Sequence, residues 1–155
     1  MAWQTFEHTA DVGLRIEAAS LAQLFEEAAR ALASLWVDDP RWADEPEAAV
    51  ADVVARGGVR VEERFGLASG EHAELLFDWL HALLVAFEVR HALLPLARVE
   101  VASDEAGLTL RATARGVRVD PARQPLAHEV KAITYHRLLL RHGASGWTAD
   151  VVVDV

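Results

Sequence analysis

Two stretches of this 155-residue sequence repeat their apolar residues at the spacing of an α-helix, which limits the folds open to the whole chain. The first begins at Ser20, and Gln23 three residues later completes a capping box. Asp38-Asp39-Pro40 then excludes further helix. We therefore predict an amphipathic helix between Ser20 and Asp38. Its apolar side consists of Leu21, Leu24, Phe25, Ala28, Leu32, Leu35 and Trp36, and its polar side of Glu26, Glu27 and Arg30.

The second helical stretch lies between Ser69-Gly70 and Pro95, which cannot continue a helix. Its apolar residues recur every three or four positions, so we predict a second long amphipathic helix here. They are Leu76, Trp79, Leu80, Leu83, Leu84 and Phe87.

Alternation with a period of two predicts β-strands at both ends of the sequence. An opening strand is expected from Phe6 to Ile16, and in its alternating half Asp11 faces away from the apolar side chains. A turn at His142–Gly146 and a last strand from Trp147 to Val155 close the sequence.

The segments in between are predicted from turn residues and alternation. Asp104–Gly107 supplies the turn of a hairpin. We expect a loop at 41–47, a strand-like stretch at 49–65 interrupted at Gly57-Gly58, and a strand-rich stretch at 126–140 after a polar break.

Helices and strands mix in this sequence without a repeating strand–helix–strand order. The absence of that repeat favours an α+β fold, with two main helices packed on a largely antiparallel β-sheet. The length is that of one domain, which we expect to span residues 1–155.

Charge and cysteine content exclude several classes of function. A net charge of −9 opposes a grip on a long phosphate backbone, so we expect no DNA partner and expect any RNA to be held by another protein. The absence of cysteine excludes disulfides, thiolate zinc sites and a cysteine nucleophile. No secretion signal or bilayer-spanning stretch is evident, so we expect a cytoplasmic protein without a membrane partner.

Two aspartates near the ends of the sequence form a candidate metal site. Asp154 stands inside the apolar run Val151–Val155, where a carboxylate needs a partner. If the first and last strands are neighbours, Asp11, Asp154 and the main-chain or terminal oxygens of Val155 form an oxygen-only cluster suited to calcium or magnesium. The competing interpretations are a solvated carboxylate at Asp11 and edge-strand protection at Asp154.

Lys131 is the only lysine in the sequence, beside 14 arginines. A coding bias towards arginine would replace lysine wherever the two are equivalent. The retained lysine therefore hints that a compact point charge matters at this position.

Three motifs together resemble the archease family: His8-Thr9-Ala10-Asp11-Val12, Glu129-Val130-Lys131-Ala132-Ile133-Thr134-Tyr135, and Val153-Asp154-Val155. The resemblance extends over nearly the whole sequence, including both predicted helices. It implies a small α+β protein that assists an RtcB-type RNA ligase in tRNA splicing or RNA repair, promoting guanylation of the ligase and multiple turnover.

The resemblance also implies roles for particular residues. Asp11, Asp154 and Val155 correspond to the residues that hold a metal ion, most often calcium, with magnesium or manganese as alternatives. Lys131 corresponds to a functionally important lysine that contacts the ligase or a nucleotide phosphate. The expected partner is the RtcB-type ligase, with RNA reached only through it.

Two other functions fit the same residues. In a stand-alone metal-dependent phosphoesterase, Asp11 and Asp154 would hold a catalytic cation and His8 or His136 would move protons. In a metal-stabilised binding module, the cation would only hold the C-terminal strand in the sheet. No phosphate-binding glycine loop or metalloprotease motif is present, so the accessory protein is preferred over an enzyme.

Overall fold

Helices and strands alternate irregularly along the chain, and the strands form two separate antiparallel sheets. The computed structural model describes residues 11–124 and 126–155. Its elements are β1 (Asp11–Ala18), α1 (Leu21–Trp36), α2 (Arg41–Asp44), α3 (Pro46–Ala55), β2 (Val59–Ser69), α4 (His72–Arg90), β3 (Ala92–Asp104), β4 (Gly107–Arg118), β5 (Ala132–Ile133), β6 (Leu139–Gly143) and β7 (Gly146–Asp154).

The C-terminal strand β7 is the centre of the first sheet. β1 pairs with it along one side, from Asp11 opposite Asp154 to Ala18 opposite Trp147. On its other side β7 pairs first with β6 and then, near its end, with β5. The side chains of β7 that face the core are buried: Ala149, Val151 and Val153.

The second sheet has the strand order β2-β4-β3, and α4 packs against its inner face. The ring of Phe65 in β2 meets the buried Trp79 of α4 edge-on, with ring centroids 5.3 Å apart. The indole N–H of Trp79 donates to the Phe25 carbonyl oxygen of α1 at 2.9 Å. This one side chain therefore connects both main helices to the second sheet.

Helix α1 begins as predicted, because the Ser20 hydroxyl accepts from the Gln23 N–H at 3.2 Å. One residue assigned to its polar side has a different role. The Glu26 carboxylate accepts from the Val99 N–H at 2.9 Å and so caps a main-chain donor of β3, an outer strand of its sheet. The prediction of both main helices is confirmed, although α4 is longer than its apolar repeat.

Two predicted regions are wrong. The expected loop at 41–47 and the first half of the strand-like stretch at 49–65 are instead α2 and α3, because Pro46 occupies the first turn of α3 and Ala49, Val50 and Val53 bury one side of it. The second half of that stretch, after Gly57-Gly58, is confirmed as β2. Strand structure in 126–140 is limited to β5 and the start of β6. The first five residues of the expected Phe6–Ile16 strand lie outside the described residues.

The remaining strand predictions, including the hairpin at Asp104–Gly107 and the last strand, are confirmed. The α+β class, with antiparallel pairing, is also confirmed. Within the described residues, every helix is too short or too polar to cross a membrane.

Gly116 allows β3 and β4 to approach closely where β3 bulges between Leu93 and Leu96. A Cβ atom at Gly116 would lie 1.8 Å from the Leu93 carbonyl oxygen, a backbone atom that cannot turn aside. At Gly66 in β2 an added Cβ meets nothing within 4 Å. We expect Gly116→Ala to lower the free energy of unfolding by about 1–3 kcal/mol or more, and Gly66→Ala to change it by less than about 1 kcal/mol. Urea unfolding of both variants measures this, and equal midpoints would contradict the assigned close contact.

The bond from Val99 to Glu26 gives a second stability prediction. Glu26→Ala leaves the half-buried Val99 N–H without its acceptor and should cost about 1–3 kcal/mol, whereas Glu26→Gln keeps an acceptor oxygen and should cost less. Glu27→Ala removes only a surface pair with Arg30 and serves as the control. Thermal unfolding should show the largest loss of stability for Glu26→Ala, a smaller loss for Glu26→Gln and the smallest for Glu27→Ala. Similar losses for Glu26→Ala and Glu27→Ala would refute the capping role.

Candidate functional site

The end of β7 brings the three sequence motifs together. Asp11 of β1 lies directly opposite Asp154, and Ala132 of β5 lies opposite Asp154 on the other side. The Lys131 N–H donates to the Asp154 carbonyl oxygen at 2.8 Å. The predicted neighbourhood of the first and last strands is therefore confirmed, and the late motif joins them.

The strand alternation determines which way these carboxylates point. Val151 and Val153 point into the core, and successive side chains of a strand alternate between its faces. Asp154, the residue after Val153, therefore lies on the outer face, and Asp11 lies on that face too. Directly opposite residues in an antiparallel pair have Cβ atoms roughly 4.5–5.5 Å apart. Edge-strand protection does not account for Asp154, because β1 and β5 flank it on both sides.

The Asp11 carboxyl group changes the acidity of Asp154. Hydrogen bonding with Asp11 raises the pKa of Asp154, partial burial and the negative charge of Asp11 raise this pKa further, and the positive charge of Lys131 lowers it. A pair of acidic side chains in this position is unfavourable when both are ionised. A bound cation would relieve the repulsion.

Another carboxylate on the same face of β7 shows the contrast. Asp150 faces Arg15 of β1, whose guanidinium donates to it at 2.8 and 3.2 Å and so lowers the pKa of Asp150. Four residues further along, the place of the arginine is taken by Asp11. The sheet therefore neutralises one β7 carboxylate internally and leaves the other facing a like charge.

The chemistry of this group fits a hard divalent cation. Carboxylate and main-chain oxygens are the ligands that calcium and magnesium prefer. Among residues 11–124 and 126–155, however, no three His, Asp or Glu side chains cluster at metal-binding distance. Asp11 and Asp154 thus supply two side chains, and the further oxygens would come from Val155 or from water.

Lys131 is held at this site by its main chain. Three residues after it, both the N–H and the hydroxyl of Thr134 donate to the Val152 carbonyl oxygen, at 3.1 and 2.8 Å. These bonds and that of the Lys131 N–H fix the segment along β7, while the Lys131 side chain stays exposed. Its ammonium group is consequently free to meet a partner molecule.

The last residue of the late motif belongs to an aromatic stack that the sequence did not predict. The exposed Tyr135 ring lies parallel to Phe77 of α4 at 3.9 Å between centroids, and Phe77 lies parallel to His81 at 6.0 Å. Phe77 falls outside the apolar repeat of the second helix, which was the available signal. Of the two proposed proton carriers, His136 is exposed and His8 lies outside the described residues.

Comparisons with known proteins identify the family. Residues 3–155 match the profile of the Archease protein family. An archease of Methanopyrus kandleri is 37% identical over 155 residues and is covered completely, as is this chain. An archease of Pyrococcus abyssi is 33% identical, with 99% of this chain and 98% of the relative covered.

Two solved structures have the same fold. The solution structure of Methanobacterium thermoautotrophicum protein 1598 has a TM-score of 0.69 and 26% identity, over 97% of this chain and 96% of that one. A Thermotoga maritima crystal structure, described as an archease and possible chaperone, has a TM-score of 0.60 over 100% and 98%. At 20% identity it bears on the fold alone. Since the family profile covers nearly all of the sequence, this chain belongs to the archease family.

Proposed function

We propose that this chain is a metal-binding accessory protein that activates an RtcB-type RNA ligase in tRNA splicing or RNA repair in the cytoplasm. It would promote guanylation and multiple turnover of the ligase without catalysing a reaction itself. The observation that carries the proposal is the convergence of Asp11, Asp154 and Lys131 at the end of β7. Membership of the archease family supports the ligase as the partner, which the sequence resemblance implies.

The cation would be held by the carboxylates of Asp11 and Asp154 and by a main-chain oxygen of Val155. Calcium suits this set best, because it accepts irregular oxygen coordination and keeps water ligands easily, whereas magnesium demands a near-ideal octahedron. Magnesium and manganese remain the alternatives to be compared. The cation would supply positive charge at a surface whose own side chains are acidic.

Cation binding would also change the surroundings of Lys131. Without a cation, the negative charge of Asp154 attracts the ammonium group closely enough for Lys131 to lower the pKa of Asp154. A divalent ion on the carboxylates would cancel that attraction and direct the ammonium outwards. An exposed point charge of this kind suits a phosphate group or an acidic side chain at the ligase active site.

The metal site yields a direct prediction at Asp154. Titrating calcium should raise the melting temperature of the wild-type protein, by about 5–10 °C at a hundredfold excess over the dissociation constant. Asp154→Asn keeps the shape of the side chain but removes a charged ligand, and should weaken calcium binding roughly tenfold or more. Isothermal titration calorimetry and thermal unfolding measure both effects.

The matched control is Asp150→Asn, which removes a carboxylate from the same face of the same strand. Its loss breaks only the exposed pair with Arg15, so calcium binding should stay at the wild-type level. Equal calcium responses in wild-type, Asp150→Asn and Asp154→Asn proteins would refute the assigned metal site.

The role of Lys131 is tested by guanylation and multiple-turnover RNA joining with the cognate RtcB-type ligase at fixed GTP and metal. Stimulation is expected with the wild-type protein and should fall to the level of the ligase alone with Lys131→Gln. Lys131→Arg, which keeps the charge but changes its shape, should retain part of the stimulation. Lys131→Arg should bind calcium like the wild type, and Lys131→Gln at least as tightly, because the main-chain bond to Asp154 is kept and the loss of a nearby positive charge removes repulsion of the cation.

Three outcomes would each count against part of this proposal. Full stimulation by Lys131→Gln would remove the lysine from the mechanism. Phosphate release by the purified chain alone, lost in Asp154→Asn, would instead establish the metal-dependent phosphoesterase. A calcium response without any effect on the ligase would favour the metal-stabilised binding module.

A further inference from the structure

The outer face of the sheet β2-β4-β3 carries a group of arginines that the overall composition conceals. It has five arginines, which are all exposed and point away from α4. They are unexpected in a protein whose net charge is −9. We call this surface the arginine face. It comprises Arg60 and Arg64 of β2, Arg111 and Arg115 of β4, and Arg98 of β3.

The strand register concentrates three of these side chains. Arg64 and Arg98 lie opposite Thr113 from its two sides, and Arg111 lies two residues from Thr113 on the same strand. Together they line a shallow hollow of about 340 Å³. Each of the three strands thus contributes one guanidinium to the same small area.

None of these five arginines forms an ion pair, a property that they share with Arg118, Arg137 and Arg141 in the described part of the chain. In the described part of the chain, six arginines form ion pairs, and none of them lies on the arginine face. They are Arg15, Arg30, Arg41, Arg56, Arg90 and Arg123. Glu100 and Glu62 lie opposite Arg111 and Arg115 on this face without closing an ion pair. Glu47 of α3 also lines this surface beside Arg98 and Arg115, so five arginines stand against three glutamates and the face is cationic.

We propose that the arginine face binds the phosphodiester backbone of double-helical RNA. A guanidinium offers planar paired donors that match phosphate oxygens, and it is weakly hydrated, so it is the cation best suited to this ligand. Mutual repulsion of clustered arginines does nothing for the fold. An anionic ligand relieves it and gains the release of counterions from the phosphates.

The side chains between the arginines favour a duplex over a single strand. Gly66, opposite Arg111, and Thr113, opposite Arg64, are small, so phosphates reach the guanidiniums but bases find no ring on which to stack. A double helix presents its phosphates on the outside and is recognised largely by backbone and shape. An acidic protein surface is the competing ligand, and the experiment below separates the two.

The choice of RNA rests on the proposed function, in which the ligase holds the RNA ends. The arginine face would then contact a stem of the same RNA and orient the accessory protein on it. Contacts of this kind are weak and independent of sequence, with dissociation constants on the order of 10⁻⁴–10⁻⁶ M at physiological salt.

The test is fluorescence anisotropy of a labelled RNA duplex of about 16 base pairs with the full chain alone, from about 50 to about 200 mM salt. The variant R64Q/R98Q/R111Q should weaken binding roughly tenfold or more and flatten the slope of log affinity against log salt by about 2–3. The control R15Q/R56Q/R123Q removes three ion-paired arginines elsewhere and changes the net charge equally, from −9 to −12. Circular dichroism confirms that both triple variants are folded.

The control variant should bind the duplex at close to the wild-type level. Equal losses in both triple variants would mean that only total charge matters and would overturn the proposal. It would also be overturned if the chain alone did not bind the duplex. If R64Q/R98Q/R111Q then lost RNA-free binding to the ligase, the face would be a protein contact.

The outcome is separable from that of the proposed function. Lys131→Gln should bind the duplex normally, because Lys131 lies next to β5 and bonds to β7, both of which belong to the other sheet. Binding that depends on the arginine face without any stimulation of a ligase would remove the proposed function and leave this proposal standing. Stimulation by a chain that never binds the duplex would do the reverse.

Discussion

The antiparallel pairing of β1 with β7 is the constraint on which the candidate site depends. It joins two segments from opposite ends of the sequence, and its register is set by apolar side chains that must face the core, Val151 and Val153. A slip of one residue would turn Asp154 inwards and expose the valines, so hydrophobic burial itself holds Asp154 opposite Asp11. The site is thus positioned by the core and not by its own charges.

The same register makes the acid pair a feature that the fold tolerates and does not require. Arg15 and Asp150 show that a β1 arginine can neutralise a β7 carboxylate at modest cost. At Asp154 the sequence places an aspartate opposite instead, which raises the pKa of Asp154 and gives the sheet no evident stability. Perturbed acids at the end of a well-buried strand are a recognised mark of functional sites.

What could be predicted from the sequence was local or periodic. The Ser20 cap, both main helices and the alternation around Asp154 follow from short-range patterns. The helices α2 and α3 were not predicted, because the Gly57-Gly58 break and the alternating apolar residues suggested strands. The apolar side chains of α3 are instead buried on one side of a helix that packs against the second sheet. The role of Glu26 depends on a residue 73 positions away and has no local signal.

Net charge and local charge act over different distances, which reconciles an acidic protein with an arginine face. The charge of −9 acts across the solvent, where salt screens it beyond about 8–10 Å. At contact, the guanidiniums that the register of β2, β3 and β4 gathers dominate. Such a protein binds RNA only weakly on its own, because one small face makes few contacts with the backbone. It gains orientation once another molecule supplies most of the binding energy, which is the situation of an accessory protein on a ligase.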